Sequence, residues 1–264
     1  GAAQTDKAAR VMKHAVAIPV GIDAAEFQKI ARKVEASEEV TRLRESLAGR
    51  KLIIGADRLD YSKGLPERFR AYSELLARYP QHRQKVSYLQ VAARSREDVS
   101  EYRDLKKNLD RLTGAVNGKY AEFDWVPLRY LTRGIQRDLL AGFFRYSAVG
   151  LVVPLRDGMN LVAKEYVAAQ DERDPGVLIL SRFAGAAQSL DAALIINPYD
   201  PSEIAEALDR ALTMPHEERA ERWRSLMVKV ERESAAAWCR DFLAALSEAR
   251  TQVSPPAEQP DLSG

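Results

Sequence analysis

Cysteine occurs once and histidine three times in 264 residues. A lone Cys239 excludes an intramolecular disulfide, and with no partner His motif nearby it reads as a core filler in the helical stretch 235–246. His14, His82 and His216 fall in unrelated segments, so neither a metal-ligand spacing nor a Ser/His/Asp arrangement emerges. No run of roughly 18 apolar residues occurs, so no membrane span is expected. The first residues lack a basic segment followed by an apolar one, which gives the expectation of a cytoplasmic protein, although the chain opens on Gly1-Ala2-Ala3 rather than Met. Net charge is also scarce: 40 Lys and Arg stand against 38 Asp and Glu. No whole-protein field therefore draws nucleic acid or an anionic membrane, and anion binding has to be local. Two phosphate motifs are missing as well. The absence of Gly-x-x-x-x-Gly-Lys-Ser/Thr excludes a P-loop, and the absence of Gly-x-Gly-x-x-Gly after a strand excludes a dinucleotide-dependent oxidoreductase of Rossmann type.

What is present reads as an α/β protein. Hydrophobic residues make up 46% of the chain and charged residues 30%, enough apolar material for one sizeable core. Short apolar runs at 14–20, 51–56, 86–92, 148–153, 177–180 and Leu194–Ile196 have the length and branching of buried strands. Between them the stretches 66–79 and 99–112 carry apolar residues at helical spacing, and 163–170 has helical composition. Asp200 ahead of Pro201 predicts a capped helix over 201–214, and 215–246 reads as a peripheral pair of helices. Such alternation predicts a Rossmann-like parallel sheet with helices on both faces. Residues 1–250 form that domain, and 251–264, with Pro255, Pro256 and Pro260, are expected to be a flexible tail.

Two strand ends carry chemistry. After 51–56 come Asp57-Arg58-Leu59-Asp60-Tyr61-Ser62-Lys63-Gly64, where Arg58 and Lys63 converge on a diphosphate and Gly64 admits close backbone approach. Alternatively Arg58 pairs with Asp57 or Asp60 and Lys63 is merely solvated. After 148–153 come Asp157-Gly158-Met159-Asn160-Leu161-Val162 and a helix, whose first N–H groups at Asn160, Leu161 and Val162 suit an anion. Asp157 would repel phosphate and so fits sugar hydroxyls, while Glu165 fits a ribose diol. The bland account is a helix capped by Asp157 or Asn160, with Glu165 an ordinary first-turn acid. Arg94 and Arg96 follow a third strand and either meet a phosphate or are solvated. Phe143-Phe144-Arg145-Tyr146 set an aromatic edge beside a base, or Phe143 and Phe144 pack on the sheet. Asp124 and Asp171-Glu172 read as loop and helix-end residues.

The strings Arg58-Leu59-Asp60-Tyr61-Ser62-Lys63-Gly64-Leu65-Pro66-Glu67-Arg68, Asn117-Gly118-Lys119-Tyr120 and Leu155-Arg156-Asp157-Gly158-Met159-Asn160-Leu161-Val162-Ala163-Lys164-Glu165-Tyr166 closely resemble bacterial trehalose-6-phosphate synthases. Phe183-Ala184-Gly185-Ala186-Ala187 and Asn197-Pro198-Tyr199-Asp200 extend the resemblance, which runs from about Ile18 to about Leu246. It implies the C-terminal, nucleotide-sugar-binding half of a GT-B glycosyltransferase that moves glucose from UDP-glucose to glucose 6-phosphate with retention. It also implies a missing N-terminal acceptor domain as partner, and leaves a homo-oligomer open. By resemblance Arg58 and Lys63 bind the diphosphate together with the Leu161 and Val162 amides, and Glu165 holds the ribose. Asp157, Gly158, Met159 and Asn160 contact the donor glucose, Phe144 and Arg145 read the uracil, and Arg96 reaches the acceptor phosphate. Arg94 departs from the family pattern. Arg58, Lys63 and Asp157 are the implied catalytic residues, with no metal and no enzymic nucleophile, because the departing phosphate accepts the acceptor's proton. The competing reading is a non-catalytic module of the same fold that senses a nucleotide sugar.

Overall fold

A computed structural model describes residues 16–93 and 100–252. Six strands form a single parallel sheet among these residues: β1 (Lys51–Arg58), β2 (Val86–Ala93), β3 (Leu128–Leu131), β4 (Val149–Val152), β5 (Val177–Ser181) and β6 (Leu194–Ile196). Their order is β3-β2-β1-β4-β5-β6. Helices α1 (Ala24–Val34), α2 (Glu38–Leu47), α5 (Arg137–Tyr146), α6 (Leu161–Ala169) and α8 (His216–Arg232) cover one face. Helices α3 (Leu65–Arg78), α4 (Ser100–Tyr120) and α7 (Pro201–Thr213) cover the other, and α9 (Ala235–Gln252) follows α8.

The alternation of side chains along β1 shows why both faces need cover. Leu52, Ile54 and Ala56 enter the core under α6, while Ile53 enters the core under α3. Both sides of a central parallel strand are thus apolar, which makes its sequence a continuous hydrophobic run rather than an alternating one. Asp200 accepts bonds from the Ser202 and Glu203 amides and so starts α7 where the sequence predicts.

Several expectations need correction. Residues 16–20 form no strand; they run as an irregular segment whose Ile18 carbonyl accepts from Trp238 Nε1 at 3.1 Å and whose Val20 carbonyl accepts from Lys164 Nζ at 3.0 Å. His14 lies outside the described residues. Strand β3 is unforeseen because it is an edge strand: only Leu128 is buried and the other three residues are half-covered, which blurs its hydrophobic signal. Helix α4 continues eight residues beyond position 112 despite Gly114 and Gly118, because Val116 and Tyr120 prolong the buried stripe begun by Tyr102 and Leu109. Cys239 is exposed rather than a core filler. Thr251 and Gln252 end α9, and 253–264 lie outside the described residues. No helix among the described residues is long and apolar enough to cross a membrane.

Two close approaches fix the packing. A Cβ built on Gly21 would sit 1.4 Å from the Glu233 carbonyl oxygen, so residues 16–21 cross directly over the break between α8 and α9. At Gly150 of β4 a Cβ would lie 2.6 Å from the Tyr166 ring of α6. Gly150→Ala is therefore expected to destabilise by about 1–3 kcal/mol through overpacking. Gly114→Ala, in a helix interior with nothing within 4 Å of the new carbon, should instead stabilise by about 0.5–1 kcal/mol. Urea-unfolding midpoints of the two variants check both signs.

Candidate functional site

The chain leaves β1 for β2 on one side and later places β4 on the other, so the strand order reverses between β1 and β4. At such a reversal the loops at the carboxyl ends diverge and leave a crevice. Here the loop after β1 and the loop after β4 are stitched together across it. The Ser62 carbonyl accepts from the Leu155 amide at 2.7 Å and the Arg156 amide at 3.3 Å, and Lys63 Nζ meets Asp157 Oδ2 at 2.6 Å. Gly64 adopts φ +65°, and a Cβ there would stand 2.3 Å from the Val153 carbonyl oxygen. Only glycine serves both demands.

Asp60 shapes the first loop by accepting from the Ser62 amide at 2.9 Å and the Ser62 hydroxyl at 2.8 Å, which closes a 3-10 turn over Tyr61–Lys63. Burial works against the Asp60 charge, but the two Ser62 bonds and the nearby Lys63 and Arg58 charges outweigh it and hold the carboxyl below its ordinary range. Arg58 is exposed at the rim. It does not take Asp57, whose partner is Arg68 of α3 at 2.6 Å, and Lys63 is not merely solvated.

The second loop is braced from β5. The Asp157 amide donates to the Phe183 carbonyl at 3.2 Å, and the Gly185 amide returns a bond to the Asp157 carbonyl at 2.9 Å. Asn160, at φ 83°, caps α6 by accepting from the Ala163 amide at 3.0 Å, while its Nδ2 donates to Asp157 Oδ2 at 3.1 Å. The amides of Leu161 and Val162 precede the first intrahelical bond, where the helix dipole is positive. Asp57, Arg58, Lys63, Asp157, Met159, Asn160, Leu161 and Val162 line one cavity of about 250 Å³. A larger cavity of about 740 Å³ adjoins it beyond Asp157, Gly158 and Met159, bounded by residues 17–20, Lys164 and Glu233.

Glu165 Oε1 lies at the same edge and accepts from Arg137 Nε at 3.0 Å. Phe144 and Arg145 do not join this group. Phe144 is buried with its ring edge-on to Tyr166. Arg145 ends α5 at the opposite, amino edge, where it pairs with Glu35 at 2.8 Å and Asp171 at 3.0 Å beside a separate cavity of about 340 Å³. The reason is topological: a helix leading into a parallel strand finishes at the edge where that strand starts. Arg94 and Arg96 lie outside the described residues. Among the described residues no group of three or more His, Cys, Asp or Glu could hold a metal ion.

Two contributors escaped the reading of the sequence. The loop 132–136, between β3 and α5, reaches the site edge because Arg137 follows it, and the unforeseen strand hid it. Arg68 had a signal: it is a charged residue on the buried face of α3 with Leu65, Phe69, Tyr72 and Leu75, and such a charge requires a buried partner.

Comparison with known proteins places the chain in a family. Residues 3–248 match the model of glycosyltransferase family 20. A trehalose-6-phosphate synthase from Sinorhizobium fredii is 50% identical over 224 residues, covering 85% of this chain and 48% of that protein. An α,α-trehalose-phosphate synthase (UDP-forming) from Burkholderia xenovorans, solved in complex with glucose-6-phosphate, has a TM-score of 0.87 at 49% identity, over 88% of this chain and 50% of that one. A solved E. coli structure bound with UDP-2-fluoro glucose gives a TM-score of 0.84 at 49% identity, over 88% and 51%. The chain spans about half the length of these relatives. With its matched residues taking in the sheet, both loops and their covering helices, the chain belongs to glycosyltransferase family 20.

Proposed function

We propose that this chain is the donor-binding half of a retaining, UDP-forming trehalose-6-phosphate synthase, which transfers glucose from UDP-glucose to glucose 6-phosphate. One observation carries the reading: Arg58, Lys63 and the N-terminus of α6 converge on a single cavity of about 250 Å³. Two side-chain cations and two bare amides at a helix start are the complement of a diphosphate. Asp157, held by Lys63, Asn160 and the Met159 amide, offers its acceptor oxygens to hydroxyls of the donor glucose in the adjoining cavity, along Gly158 and Met159, with Asn160 contacting the sugar from the smaller cavity. Glu165, steadied by Arg137, faces the ribose diol. The base then extends beyond Glu165 toward the loop 132–136 that precedes Arg137, in place of Phe144 and Arg145.

The chemistry follows from charge. Breaking the bond from glucose to UDP builds negative charge on the leaving phosphate, and preorganised cations and amides stabilise that charge more than they stabilise the intact donor. The acceptor hydroxyl attacks from the face that UDP leaves, and the phosphate oxygen takes its proton. Asp157 orients the sugar and is itself held by Lys63. Glucose 6-phosphate requires groups from the half that the relatives carry and this chain does not span, with Arg96 as this chain's own contribution.

Titration calorimetry tests the donor role. UDP is expected to bind, and Lys63→Ala and Arg58→Ala should each weaken it by about 10- to 150-fold, the equivalent of about 1.5–3 kcal/mol for a charged hydrogen bond; equal isotherms for the three proteins would refute the site. UDP-glucose should bind more tightly than ADP-glucose or GDP-glucose. Trehalose 6-phosphate should form only when the missing half is supplied, and activity of the chain alone, or none after reconstitution with UDP still bound, counts against the division of labour.

A further inference from the structure

Behind the cavity lies an ion pair sealed from solvent. Arg68 has no exposed surface and the Asp57 side chain is 3% exposed, yet Asp57 borders the cavity that Arg58 and Lys63 also line. Arg68 Nη1 donates to Asp57 Oδ2 at 2.6 Å and to Gln90 Oε1 at 3.3 Å, and Nη2 donates to the Lys63 carbonyl at 2.8 Å. Tyr88 completes the cluster by donating to Gln90 Oε1. Room for it is cut out of β1, because a Cβ on Gly55 would lie 2.4 Å from Gln90 Oε1 and 3.0 Å from Arg68 Nη1.

A buried ion pair is an inefficient source of stability, since desolvating both charges consumes most of their attraction and apolar residues of similar volume do as well. Its position suggests another use. An uncompensated carboxylate at the wall of an anion cavity repels the ligand, and low dielectric magnifies that repulsion. We propose that Arg68 is a positioning residue for the diphosphate site: it cancels the Asp57 charge at the cavity wall and pins the Lys63 backbone, so that Asp57 adds no repulsion to the potential set by Arg58, the Lys63–Asp157 pair and the α6 amides. This rests on the donor-binding reading above.

UDP titrations of wild type, Arg68→Met, Asp57→Asn and the double variant decide it, with thermal melts reporting folding. Arg68→Met should lose about tenfold or more in UDP affinity, and adding Asp57→Asn should restore most of it, because the double variant again has a neutral wall. The pH profile separates charge from packing. Burial pushes the Asp57 carboxyl up, against the pull of Arg68 and Lys63 and with the push of Asp157; without Arg68 it takes a proton still more readily. The deficit of Arg68→Met relative to wild type should therefore shrink as pH falls from about 8 to about 5. Affinity within twofold of wild type in folded Arg68→Met, a double variant as weak as the single, or a deficit independent of pH overturns the inference. Should Arg68→Met fail to fold, Asp57→Asn alone decides: it is expected to bind UDP severalfold more tightly, and equal or weaker binding overturns the proposal. A wild-type chain that does not bind UDP removes the donor reading instead.

Discussion

The contact between Lys63 and Asp157 is the point on which the site's architecture turns. It spans the boundary where strand order reverses, and it joins two loops that belong to different βα units. Each partner is less than one-fifth exposed, so the pair works in a medium less screened than open water and is worth more than a surface bridge. Asp157 also receives Asn160 Nδ2, and Asn160 in turn caps α6. A displacement of the β1 loop is thereby felt at the first turn of that helix. The backbone bonds from Leu155 and Arg156 to Ser62 make the same connection without charge.

Glycine makes this proximity attainable. Gly55 admits the Arg68 and Gln90 cluster beneath β1, Gly64 lets the turn pass against the Val153 carbonyl, and Gly185 packs on the Gly158 backbone. Each is a place where polar backbone or a polar side chain occupies the volume a β-carbon would take. The site is polar groups packed at core density, and its precision comes from the neighbours of the cavity-lining groups as much as from those groups themselves.

Much of the fold was legible because parallel strands buried on both faces announce themselves as short apolar runs, and five of the six strands fall where such runs lie. The exceptions have separate causes. Residues 16–20 are apolar yet largely exposed and held through backbone carbonyls, and β3 is half-exposed, so hydrophobicity alone mistakes one for a strand and overlooks the other. At the site, Arg58, Lys63, Asp157 and Asn160 through Val162 could be grouped from the sequence because a loop after a parallel strand has only one edge to occupy. Phe144 and Arg145 could not be placed by that rule, since they end a helix rather than follow a strand. Arg145 and Phe144 sit where chain direction sends them, at the amino edge and in the core. Pairings between distant residues, such as Arg68 with Asp57, leave only an indirect trace: a charge where an apolar residue is due.

The crossing of Gly21 over the α8–α9 break has a mechanical meaning. Backbone touches backbone there with no side chain between, and Trp238 ties the same segment to the start of α9. Two stretches of chain that meet so closely fix one another's course, and Lys164 of α6 reaches the same crossing by donating to the Val20 carbonyl and pairing with Glu233, so that the seam closes at the wall of the larger cavity rather than in a loose tether.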